Sequence, residues 1–216
     1  MQNPCFVQKL SGYPVYSRNY GQGFFADFFY NTNYFSLDAF FSKNNSTNSE
    51  SVEKENRNHI DKLRNNEFYF VQILLYSSFE DGNSNEAIEY IKEQLSINSV
   101  ATSSWMAEFF VKNKNRDDDR IEILYGLLRI IAYLNDRDCF DYIHGNLLLI
   151  LQTALQSDIV YLQEAALMVI ESWRDNDCLY LLKRLEFEDS YIQKYADIIK
   201  NELTSELEDN SVCLSE

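Results

Sequence analysis

From about Asn58 onward, apolar residues recur at the three- and four-residue spacings that line one face of an α-helix. The periods predict helices over 59–78, 84–95, 100–112, 119–134, 138–156, 159–173, 177–186 and 190–207. Only a few residues, rich in Asp, Asn and Ser, separate one period from the next. Such residues end one helix and cap another, and short separators join antiparallel neighbours. The fold class expected is therefore all-α. Upstream the pattern changes twice. Residues 42–57 carry the run Lys43-Asn44-Asn45-Ser46-Thr47-Asn48-Ser49 and predict a polar linker or loop. In residues 1–41, Phe24, Phe25, Phe28 and Phe29 repeat at i, i+1, i+4 and i+5, as a short helix with one very apolar face would. Leu37, Phe40 and Phe41 begin another after Ser36. This segment is expected to form an aromatic-rich N-terminal cap on a helical domain of residues 58–216, or a docking patch for a partner.

The chain also repeats itself. Leu128-Arg129-Ile130-Ile131 overlays Leu167-Met168-Val169-Ile170, and Asp136 to Phe140 overlays Asp175 to Leu179, both at an offset of 39 residues. A period near forty, with two helices and an acidic turn per unit, falls in the range of helical solenoids, whose single pairs cannot bury their apolar faces alone. Asp158, the run Leu162 to Ile170, the turn Arg174-Asp175-Asn176-Asp177 and the helix Leu179 to Leu185 together resemble a HEAT-repeat unit. The next unit opens alike, with Asp189 followed by Ile192 to Ile199. The resemblance covers about residues 120–203 and implies antiparallel helix pairs stacked as a short right-handed solenoid. The chain departs from the family pattern where Gln163 and Gln193 stand in place of the usual Arg.

Composition narrows the class. With 45% hydrophobic and 15% aromatic residues in 216, the chain can bury a sizeable core and is not a disordered polymer. Both prolines, Pro4 and Pro14, lie near the start and only six glycines are present, so the turn signals of a many-stranded β fold are lacking. Met1 to Phe6 has no secretory n-region, and no stretch approaches the roughly 20 apolar residues of a membrane span. A soluble, cytoplasmic protein is expected. Cys5, Cys139, Cys178 and Cys213 are widely scattered and form no CxxC pair, so free thiols are expected, with Cys139 and Cys178 acting as small apolar residues.

Motifs that would carry chemistry fail on inspection. Asp81, Asn83 and Asn85 match positions 1, 3 and 5 of a calcium loop, but Glu86 replaces the turn glycine and Lys92 the closing Glu. Ser84 or Asn85 is expected instead to cap the following helix. His59 and His144 have no His or Cys at ligand spacing, and the paired His-Glu dipeptides of HEAT-like metal enzymes are missing. Gly21-Gln22-Gly23-Phe24-Phe25-Ala26 follows no strand and so imitates a dinucleotide loop only in letters. No catalytic residue, metal or cofactor is expected.

Charge carries the functional expectation. The net charge is −15, the wrong sign for a general nucleic-acid binder or an anionic membrane. Residues 117–216 hold 8 basic against 21 acidic side chains, so nearly all of the excess sits on the repeat half. Asp138 and Asp177 are placed to cap the second helix of each pair, whereas Asp136 and Asp175 are less readily explained by capping. Asp136, Asp138, Asp141, Asp175, Asp177, Glu186, Glu188 and Asp189 are expected to line one edge of successive units as a surface for a basic protein. An exposed Trp173 or Tyr180 would add the desolvated anchor that charge alone lacks. An acidic, non-enzymatic chain of this size is similar in kind to the immunity proteins that neutralise bacterial toxins, many of them basic nucleases. The alternative is a scaffold or adaptor subunit held in an assembly by its aromatic N-terminal segment.

Overall fold

The computed structural model describes residues 49–79, 84–114, 119–134 and 137–212, with side chains at 50–79, 84–114, 120–134 and 145–206. All lie in the compact unit of residues 46–216. Among them are eight helices and no strand, so the chain is all-helical there. The helices are α1 (Ser49–Asn65), α2 (Glu67–Tyr76), α3 (Glu86–Asn113), α4 (Asp119–Tyr133), α5 (Arg137–Leu155), α6 (Val160–Trp173), α7 (Asn176–Leu182) and α8 (Ser190–Val212). The aromatic segment 1–41 and residues 42–48 lie outside the described residues.

Three boundaries differ from expectation. Residues 49–57, read as part of a polar linker, form the first turns of α1. Their polarity reports exposure, not absence of helix: Glu53 and Arg57 pair at i,i+4 (3.2 Å), and the buried stripe of α1 starts only at Asn56. The single period read over 59–78 is two helices that break at Asn66 (φ −98°, ψ 6°). Buried Leu63 and Phe70 are seven residues apart, which keeps the apolar face in phase across the break and hides it from a periodicity argument. The converse holds in α3, where the two periods read over 84–95 and 100–112 run on as one helix kinked at Asn98 (φ −155°, ψ 92°). There the Asn98 side chain accepts from Ala101 N–H (3.0 Å) as an internal N-cap. Asn85 caps the start of α3, accepting from Ile88 N–H at 2.9 Å.

Helices pack in two series. α1 packs on α3 and α3 on α5, while α2 packs on α4, α4 on α6 and α6 on α8. Contacts between chain neighbours, such as α2 with α3 and α5 with α6, join the series. α4 is apolar almost all round because it is enclosed almost all round: Leu124, Leu127, Leu128, Ile130 and Ile131 are fully buried. Each such side chain contributes about 1.5–3 kcal/mol by leaving water. Gly126 lets α2 approach, since a Cβ there would stand 2.5 Å from Leu74 Cδ2. Towards the N-terminal side, Phe70 meets Trp105 and Phe109 edge-on, with centroids 5.2 and 5.5 Å apart.

The two glutamines at the departures from the HEAT pattern do the same job. Gln163 Nε2 donates to Ser157 O (2.7 Å), and Gln193 Oε1 accepts from Phe187 N–H (2.8 Å). Each reaches six residues back and clamps the loop that leads into its helix.

Candidate acidic and aromatic surface

The residues expected to line an acidic edge divide into three groups. Asp136 lies outside the described residues; Asp138 and Asp141 fall in α5, with side chains outside them. Asp175 and Asp189 are structural: Asp175 is the N-cap of α7, accepting from Asp177 N–H (2.6 Å), and Asp189 accepts from Tyr191 N–H (2.8 Å) and Ile192 N–H (3.1 Å) at the start of α8. The capping role assigned to Asp177 thus belongs to Asp175. Glu186 and Glu188 are exposed. Tyr180 is 48% exposed, with the Arg184 guanidinium 4.1 Å over its ring.

Trp173 is not the exposed anchor it was expected to be. It is 8% exposed, and its Nε1–H donates to Ile131 O at 3.1 Å. A tryptophan at the end of an apolar helix face packs inward, where its indole finds the carbonyl of the neighbouring helix. Arg174, next to it, takes a left-handed conformation (φ 49°) to end α6 and forks onto Glu206 of α8 through Nε (2.7 Å) and Nη2 (2.5 Å).

Folding exposes a different surface, along α4, α6 and α8. Tyr161, Glu164, Met168 and Glu171 sit one helical turn apart on α6 and none is fully buried. Tyr161 stacks on Tyr125 of α4, with centroids 4.4 Å apart. From α8, the Tyr191 hydroxyl donates to Glu164 (3.0 Å) and the Tyr195 hydroxyl to Glu171. Burial, followed by that hydrogen bond to Glu171, pushes the Tyr195 hydroxyl well above its ordinary range. Burial likewise raises Tyr125. At one end of this surface a groove of about 220 Å³ opens between α2, α4 and α6, walled by Leu74, Leu75, Phe79, Tyr125 and Tyr161, with Glu122 in its lining. The signal for the α6–α8 bridges was present in the tyrosine and glutamate spacing of the two helices, but the neighbour each one meets is 24 to 27 residues away.

The other series is closed. His59 Nε2 lies 3.1 Å from Thr102 Oγ1, whose hydroxyl donates to Gln94 O (3.0 Å) across the α3 kink. Asn98 Nδ2 donates to Asn56 Oδ1 (2.8 Å), and Asn146 of α5 donates to Ser103 (3.0 Å) and Ser104 (3.2 Å). Burial, and then the charge of Lys62, lower the His59 pKa. Cys178 is a fully buried free thiol, pushed well up by burial and by Asp175 and Asp177. Among the described residues, no three His, Cys, Asp or Glu side chains are placed to hold a metal ion, and no helix is long and apolar enough to cross a membrane. No protein-family model, curated protein or solved structure matches the chain.

Proposed function

We propose that this chain is a non-enzymatic, HEAT-like protein-binding module whose acidic repeat half engages a basic protein. The most specific form of the reading is an immunity-type inhibitor that covers the anion-binding cleft of a basic toxin or effector in the cytoplasm. The architectural part is supported by the packing of α1 on α3, α3 on α5, α2 on α4, α4 on α6 and α6 on α8, and by the matched clamps of Gln163 and Gln193.

The observation that carries the binding part is where the cations go. Arg174 is taken up by Glu202 and Glu206, Arg64 by Asp61 and Glu108, Lys112 by Glu67, and Lys200 by Asp197. Internal pairing therefore occupies four of the cations and leaves the acidic excess of the chain, 19 basic against 34 acidic side chains, undiminished. Exposed carboxylates such as Glu122, Glu186 and Glu188 are left facing solvent. A surface of that kind steers a basic partner and loses affinity with salt.

The test is affinity capture from the native host at low and high salt, with mass spectrometry of the eluate. One basic protein released by salt, whose own activity falls when the chain is added back, is the expected result. Recovery of a salt-resistant assembly that is lost on deletion of residues 1–41 would overturn it in favour of a scaffold subunit held by the aromatic segment.

A further inference from the structure

We propose that the groove between α2, α4 and α6 is an arginine pocket, which takes one guanidinium of the basic partner against Tyr161 and Glu122. The inference rests on the basic-partner reading and adds to it the position and the side-chain class.

Size comes first. At about 220 Å³ the groove is smaller than the roughly 300–1,000 Å³ of small-molecule sites, and it suits a single long side chain. Its walls come next. Leu74, Leu75 and Phe79 offer an apolar track for three methylenes, and Tyr161 is 49% exposed while its other face is covered by Tyr125. A ring with one free face, backed by a second ring, is a stacking platform for a planar cation. Charge then selects the sign. Glu122 is exposed and, among the described residues, makes no ion pair. Arg129, which also acts on Tyr125, is 9% exposed and turned to the protein: its Nη2 donates to Phe79 O (3.1 Å) and its Nη1 points to Met168 Sδ (3.6 Å). With Arg129 already held by the protein, Glu122 is the carboxylate of the groove lining left to pair with an incoming cation, which disfavours an anionic occupant. Lysine could use the charge but not the ring face, because its ammonium is a compact, strongly hydrated point.

The test is an NMR titration of the labelled full chain with N-acetyl-arginine amide, compared with the lysine and norleucine analogues. The arginine compound should shift the signals of Tyr125, Gly126 and Tyr161 at lower concentration than either analogue. Glu122→Gln should weaken its binding about fivefold while leaving thermal unfolding unchanged, because the side chain is exposed, and Tyr161→Leu should weaken it as much with a small loss of stability from the Tyr125 stack. Equal shifts with norleucine amide would mean an apolar occupant and overturn the proposal. So would an absence of shifts at these residues, or shifts that depend on protein concentration alone, which would make the occupant a second copy of the chain. If the groove is silent but the chain still captures a salt-eluted basic protein, the pocket fails and the basic-partner reading stands. If the groove is arginine-selective but no basic protein is captured, the pocket stands and that reading fails.

Discussion

The odd-numbered helices α1, α3 and α5 and the even-numbered helices α2, α4, α6 and α8 use the same device to opposite ends. In both series, polar side chains bridge a helix to its second neighbour. Between α1, α3 and α5 the bridges are largely enclosed: Asn56, His59, Thr102, Ser103 and Ser104 are all buried, and Asn146 reaches them from α5. Between α4, α6 and α8 the Trp173 bridge to Ile131 is buried, but others stay wet, with Tyr191 on Glu164 and Tyr161 on Tyr125. A buried hydrogen bond fixes register because leaving either partner unpaired is costly, whereas an exposed one costs little to break and remains free for exchange with a ligand. The closed series is suited to holding the domain together and the open one to meeting something else.

The contrast can be broken most severely at Trp105 of α3, fully buried against Phe70 of α2 and Phe109. Trp105→Ala should cost about 3–5 kcal/mol in urea unfolding, through lost transfer energy and the cavity left behind. Asn146→Ala comes next. It removes the donor to two serine hydroxyls on α3 and should cost about 1–3 kcal/mol by the same measurement. Asp175→Ala removes the α7 N-cap and should cost about 1 kcal/mol. His59 sharpens the comparison through pH. Its folded pKa lies below the unfolded value of 6.5, so the unfolded state binds the proton first. Stability contributed by neutral His59 is complete above that unfolded value and is lost as pH falls through it towards the lower folded one. Urea midpoints measured from pH 7.5 to 5.5 should therefore decline, and His59→Gln should flatten the decline. Tyr191→Phe in the open series should be smallest, within about 0.5 kcal/mol of wild type.

Much of this was legible in the sequence, and what was missed shares a cause. Leu128 to Ile131 and Leu167 to Ile170 announced their helices because a 3.6-residue period is a local property, and the structure adds only their burial. The break at Asn66 was invisible because the period stays in phase across it. Trp173 was misplaced for a different reason: its burial depends on the Ile131 carbonyl of another helix, which no local pattern reports. A cap at this turn was legible, but it was read as Asp177 and is Asp175, which follows the left-handed Arg174 that ends α6. The groove at Tyr161 required α2, α4 and α6 together, with Gly126 admitting Leu74 to its floor. Packing between elements distant in sequence, not propensity, made the candidate site.

The central claim is that an acidic surface on the repeat half binds a basic protein. The most direct measurement is calorimetric titration of the salt-eluted partner into the wild-type chain over a salt series, beside a Glu186→Lys, Glu188→Lys double variant. The account predicts that affinity falls by about tenfold or more between low and high salt, and that the variant binds more weakly with a shallower salt dependence. Affinity unchanged by salt and by both substitutions would contradict it.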